Sequence, residues 1–218
     1  MTDSLQTRRD KIVEKMLDHV AFDGWSRDAL IEGALAAGYA EDVALRAFPD
    51  GMGQVAEHFA DWSDRRMVAA LAAQDLEAIK IRERIHACVK TRIQLNMVHK
   101  EAIRRLMSYL ALPANAPLAA RLAWRSCSAM WYAAGDRSAD WNHYTKRGLL
   151  VSVYSATLLY WLGDSGDEAG DYPQTWAFLD RRISDVLKTF ALPGKLKASL
   201  LQLAATLAPG RASRDSRR

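Results

Sequence analysis

Apolar residues recur at helical spacing along almost the whole chain. Leu5, Ile12, Val13, Met16, Leu17 and Val20 share one face, which predicts an amphipathic helix over 5–20. Asp23–Gly24–Trp25 breaks that pattern. Ser26 is placed to cap a helix over 27–37, which Gly38 ends. A short helix over Glu41–Phe48 stops at Pro49. Further helices are expected over 51–73, 75–89, 92–112, 118–134, 141–162, 175–190 and 195–208, with Pro113 and Pro117 marking one connection. Alternating period-two runs bounded by turn signals are scarce, so the fold class is all-α. The longest connection, Gly163–Pro173, is rich in Gly and Asp.

One segment departs from simple amphipathicity. Leu149–Leu162 is apolar on nearly every side, so it is either deeply buried or lines something apolar. A polar, aromatic collar, Gly135–Gly148, precedes it. Of the chain's seven Trp, seven Tyr and five Phe, twelve follow residue 120. Such rings fill a core or surround a cavity. Five of the twelve are Trp, many for a small bundle to bury without a pocket. With Ser152, Ser155 and Thr157 beside them they suit a hydrophobic ligand with a polar head. Trp131, Tyr154, Tyr160 and Trp161 are the rings expected to line it. Lys146 and Arg147 sit near a helix start, where cations are unfavourable. They either pair with a phosphate or other anion, or are merely solvated.

The last predicted helix offers a second lead. Leu196, Leu200, Leu203 and Leu207 form one stripe, fenced by Pro193–Gly194 and Pro209–Gly210 and flanked by Lys195, Lys197 and an arginine-rich tail. The helix suits an anionic membrane surface. It equally suits packing on its own bundle or on a second subunit. The domains therefore read as a helix-turn-helix-like subdomain (1–50), a ligand-binding helical body (51–192), an amphipathic helix (193–210) and a basic tail (211–218).

Charge narrows the picture only slightly. There are 30 Lys and Arg against 26 Asp and Glu, a net charge of +4, and most of that excess lies in the tail. Cys88 and Cys127 show no pairing pattern, which points to a reducing compartment. Charges interrupt the N-terminus early, so no secretory signal is expected there. The chain is expected to be cytoplasmic and peripheral on the inner membrane, or on the matrix side if mitochondrial. His86-x-Cys88 would diverge on a helix, and no metal-ligand spacing, phosphate loop or nucleophile–base pair appears. Asp136 and Asp140 lie one helical turn apart, a weak candidate for a carboxylate pair. No cofactor, no metal and no catalysis are expected.

The N-terminal layout resembles the helix-turn-helix end of tetracycline-repressor-like proteins, with the turn at Ala37–Ala40. A DNA-binding regulator with a ligand pocket would share that fold. Glu41 and Asp42 open the would-be recognition helix, and Arg46 alone cannot offset them against phosphates. No nucleic-acid partner is expected.

Gly135–Asp136-x-Ser138-x-Asp140-x-Asn142-x-Tyr144–Thr145–Lys146–Arg147, Tyr154-x-x-Thr157, Asp164–Ser165 and Thr175–Trp176-x-Phe178–Leu179–Asp180–Arg181–Arg182–Ile183 resemble the coenzyme Q biosynthesis protein 9 family, as does Phe22–Ser26. The resemblance implies a tetracycline-repressor-like fold without catalysis. It implies a C-terminal cavity for isoprenoid lipids or ubiquinone precursors, homodimerisation, and a C-terminal amphipathic helix at the membrane. It further implies docking to a di-iron hydroxylase, to which the quinone precursor is presented. Asp140, His143 and Tyr144 would then form the hydroxylase patch, with His143 where animal members carry Trp. Arg147 would contact a phospholipid phosphate.

Overall fold

The computed structural model describes residues 3–136 and 141–190. Among the described residues there are nine α-helices: α1 (Leu5–Asp23), α2 (Arg27–Ala36), α3 (Glu41–Ala47), α4 (Met52–Leu71), α5 (Ile81–Gln94), α6 (Lys100–Leu110), α7 (Ala116–Ala133), α8 (Trp141–Gly163) and α9 (Pro173–Phe190). Among the described residues there are no strands, as the sequence pattern predicts.

The caps explain the boundaries. Ser4 Oγ accepts from Thr7 N at 3.1 Å and Ser26 Oγ from Ala29 N at 3.2 Å, satisfying amides that each helix start leaves free. Gly24 and Gly38 take φ values of 68° and 81°, which turn the chain out of α1 and α2. α1 buries the predicted stripe of Ile12, Val13, Met16, Leu17 and Val20. Most of that face lies on α2, where Gly33 permits unusually close approach. A Cβ there would sit 2.6 Å from the Met16 backbone.

α1, α2 and α3 form the N-terminal unit, and α4 carries the chain from it into the body, packing on α1, α5 and α7. The Trp25 indole donates to Ala102 O at 2.9 Å and ties the two parts together. On α3, Arg46 is ion-paired with Asp42 at 2.7 Å, both well exposed, so its one cation is already matched by a carboxylate. α8 packs between α7 and α9.

The structure corrects both ends of the helix expected over 75–89: α5 begins at Ile81, after a separate 3-10 turn at Leu76–Ala78. The sequence places a break near residues 90–91, but α5 runs to Gln94 and the break falls at Leu95–His99. Asn96 accounts for it. Its Nδ2 donates to Arg92 O at 2.7 Å and its Oδ1 accepts from Ser63 Oγ at 3.3 Å, so a side chain closes the helix end. The predicted amphipathic helix, Leu196, Leu200, Leu203 and Leu207 with it, lies outside the described residues, as does the basic tail. No helix among the described residues is long and apolar enough to cross a membrane.

Candidate functional site

α4, α5, α6, α7 and α8 enclose a cavity of about 290 Å³. Its wall is mainly aliphatic: Ile93, Ile103, Leu106, Met107, Leu110, Leu122, Leu158 and Leu159, with Ala60, Ala111, Ala119 and Ala123 leaving the space. Phe59 and Trp161 add rings. Tyr154, Leu158 and Trp161 stand at i, i+4 and i+7, one face of α8. Leu159, on the wall, is 61% exposed, so the cavity meets the surface between α6 and α8 at an apolar rim.

One end of the cavity is polar and buried. Arg92 Nε donates to Asp64 Oδ1 at 2.6 Å, its Nη2 to Ser126 Oγ at 3.1 Å and its Nη1 to the Tyr154 hydroxyl. Ser126 Oγ in turn donates to Asp64 Oδ2 at 3.0 Å. Four helices, α4, α5, α7 and α8, thus converge on one buried ion pair. Burial alone would lower the Arg92 pKa, but Tyr154 and Asp64 outweigh it and hold the guanidinium charged. Burial pushes the Tyr154 phenol up, so it stays neutral and keeps its proton. Burial likewise pushes the Cys88 thiol up to about 12 and raises Cys127, leaving both as unreactive packing groups.

The expected ligand residues divide. Tyr154 and Trp161 line the cavity. Tyr160 faces elsewhere, stacked on Phe178 with centroids 4.4 Å apart. Trp131 donates to Lys146 O at 3.1 Å, outside the cavity. Two of the four expected rings therefore line the cavity, and aliphatic side chains form most of the wall. Among the hydroxyls, Ser155 lines the cavity, whereas Ser152 and Thr157 donate to the carbonyls of Leu149 and Val153 within α8.

Lys146 and Arg147 are matched from within. Lys146 Nζ lies 3.1 Å from Asp136 Oδ1 and Arg147 Nη1 3.7 Å from Asp136 Oδ2. The Arg147 side chain is 0% exposed, and its Nε also donates to Ser128 Oγ. A buried carboxylate explains two cations near a helix start, and Arg147 belongs to the α7–α8 joint rather than to an open lipid-facing surface. Tyr144 is 58% exposed and stacks on Trp124 at 6.2 Å. Asp140 lies outside the described residues, and the His143 side chain is likewise not described.

Asp164, in the Asp164–Ser165 motif, organises the long connection. Its Oδ2 accepts from Thr175 N and Oγ1 at 3.1 and 2.7 Å, and its Oδ1 accepts from Gly166 N. Burial works to raise its pKa, and these bonds together lower it. Asp171 accepts from the Trp176 indole at 2.8 Å. The motif is thus an α9 cap and a loop clamp.

Residues 116–189, which form α7, α8 and nearly all of α9, match the COQ9 family model. Over that stretch the chain is similar to the COQ9 family. Among its relatives is "Ubiquinone biosynthesis protein COQ9, mitochondrial" of Homo sapiens, 29% identical over 192 residues, covering 85% of this chain and 59% of that protein. The Rattus norvegicus protein of the same description is 31% identical over 184 residues, covering 81% and 58%. The chain therefore spans less than two thirds of the length of these relatives. In three dimensions it is similar to a TetR transcriptional regulator from Nitrosomonas europaea ATCC 19718, with TM-score 0.62 and 19% identity, over 81% of this chain and 95% of that one. That likeness bears out the tetracycline-repressor-like fold.

The polar end of the cavity escaped the sequence reading. Asp64, Arg92 and Ser126 stand on different helices, and each reads alone as an ordinary surface residue. A usable signal existed: Arg92 and Asn96 continue the buried stripe of Ile85, Val89 and Ile93, and Asp64 continues that of Ala56, Phe59 and Ala60.

Proposed function

We propose that this chain, like the COQ9 proteins it resembles, works in ubiquinone biosynthesis, and that it is a lipid carrier. It takes up a prenylated quinone precursor and presents it to a partner di-iron hydroxylase, which supplies the oxygen chemistry. The observation that carries the reading is the cavity: an apolar chamber with a buried polar end and an apolar rim. About 290 Å³ lies near the lower edge of small-molecule sites, ~300–1,000 Å³. It is well above the roughly 150 Å³ void that suffices for benzene. A ring or a short stretch of prenyl chain fits, and a longer tail leaves past Leu159. Burying that apolar surface is favourable by ~25 cal/mol per Å².

The relatives' names supply the pathway, and mitochondrial relatives support a site on the matrix face of the inner membrane. Membrane attachment through 196–207 and hydroxylase docking through Asp140, His143 and Tyr144 complete the proposal, with a homodimer as the working unit. The test is lipid identification by native mass spectrometry of purified protein, alongside Ala123→Phe, which fills the chamber. Wild-type protein is expected to retain isoprenoid lipid and the variant to lose most of it. Equal retention by both rejects the chamber as the site.

A further inference from the structure

We propose that the Ser155 hydroxyl is the polar group by which the chamber reads its occupant: it bonds a neutral ring oxygen of the lipid just inside the rim, leaving the buried Arg92–Asp64 pair untouched. This rests on the carrier reading above and names the residue that separates a quinone from a bare prenyl chain.

The polar side chains of the wall are not equally available. Arg92, Asn96, Ser126 and Tyr154 are each at most 8% exposed and are bonded within the protein. Arg92 donates to Asp64, Ser126 and Tyr154, Ser126 donates to Asp64, and Asn96 donates to Arg92 O while accepting from Ser63. Trp161 is 0% exposed, so its indole N–H is out of a ligand's reach. Ser155 differs on both counts. It is half-buried, and its hydroxyl makes no hydrogen bond among the described residues. A hydroxyl inside a helix often donates to a carbonyl one turn back, as Ser128 does to Trp124 O, Thr157 to Val153 O and Ser184 to Asp180 O. Ser155 makes no such bond, so its donor is free for a partner from the chamber.

Its position on α8 aims it there. At ~100° per residue, Ser155 falls between Leu158, about 60° to one side, and Leu159, about 40° to the other. Both leucines are on the wall. Along the axis Ser155 lies about 6 Å, one turn, from Leu159 at the rim. A ring that has passed Leu159 by one turn is level with it.

The charges of the chamber define the acceptor. Arg92 is the cation on the wall, and Asp64 neutralises it at 2.6 Å. An anionic head would enter with its charge unmatched, which is strongly unfavourable. A quinone carbonyl, ether or phenol oxygen accepts from Ser155 without that cost. A bare prenyl chain in the same place strips water from the hydroxyl and returns nothing. The hydroxyl thus favours the oxygenated ring and disfavours the hydrocarbon.

The test compares two probes on the full chain: a ubiquinone with a two-unit tail, and farnesene, a prenyl hydrocarbon without oxygen. Each is titrated into wild type, Ser155→Ala and Ser152→Ala. Ser152 is the control, being exposed, off the wall and bonded to Leu149 O. Alanine is the better helix former and Ser155 has no bond to lose, so Ser155→Ala should melt no lower than wild type. It should bind the quinone about fivefold more weakly and farnesene no more weakly. Ser152→Ala should change neither. If Ser155→Ala keeps its quinone affinity, loses both probes alike, melts lower, or is matched by Ser152→Ala, the proposal is overturned while the carrier reading stands. Wild type that binds farnesene but not the quinone overturns it likewise. If wild type binds neither probe, both readings fall.

Discussion

Arg92 and Asp64 show how much a single buried pair governs. Their side chains are 9% and 12% exposed, so neither charge has water to fall back on. Arg92→Ala should lower stability by about 3–5 kcal/mol in urea unfolding, because it strands the Asp64 carboxylate in the interior. Replacing both, Arg92→Met with Asp64→Leu, should restore most of that loss. A double variant no more stable than Arg92→Ala would mean that the guanidinium acts through packing alone. The same pair marks the limit of reading the sequence. A charged residue on a helix is ordinarily solvated, and only its register against the buried stripe separates Arg92 from its exposed neighbours. The Arg147–Asp136 pair was hidden for the mirror reason. Asp136 lies eleven positions earlier on the other side of a helix break, and nothing local announces that the two meet.

The helices themselves were largely legible, because period, caps and glycine stops are local signals. Ser4, Ser26, Gly24 and Gly38 act within a turn of where they stand. The misplaced break at 90–91 has a non-local cause, since Asn96 is held partly by Ser63 on α4. Two glycines separate local propensity from packing. Gly148 lies within α8 and a Cβ there meets nothing within 4 Å. Gly148→Ala should therefore raise stability by about 0.5–1 kcal/mol through helix propensity. Gly33→Ala gains the same propensity but drives a methyl into the Met16 backbone. It should lower the melting temperature, by the equivalent of about 1–3 kcal/mol, as α1 and α2 are forced apart. Circular dichroism melts of the two variants side by side check this. A neutral Gly33→Ala would show that the α1–α2 contact is looser than its geometry.

At the scale of the whole molecule, the fold brings half-buried histidines to the helices that build the cavity, and this ties its stability to pH. His58 on α4, His86 on α5 and His99 just before α6 each have a lowered pKa, in every case chiefly through burial. Carboxylates oppose the shift: Asp10 at 2.7 Å from His58, Asp180 for His86, Asp18 and Glu14 for His99. Arg65, Lys90 with Arg82, and Arg66 act in the same direction as burial at the three sites respectively. A histidine whose folded pKa lies below its unfolded value, 6.5, binds fewer protons folded than unfolded. Its contribution is complete above that value and is lost as pH falls through the folded pKa. The protein should therefore melt at a roughly constant temperature above pH ~7 and progressively lower below pH ~6, before carboxylate titration begins. His58→Gln should flatten part of that slope. Because α4, α5 and α6 all wall the cavity, retention of a bound prenylated quinone should weaken over the same interval, read by lipid retention at matched temperatures. A melting temperature that holds steady from pH ~7 to ~5 would mean that Asp10, Asp180 and Asp18 offset burial in full, and that acid leaves the chamber intact.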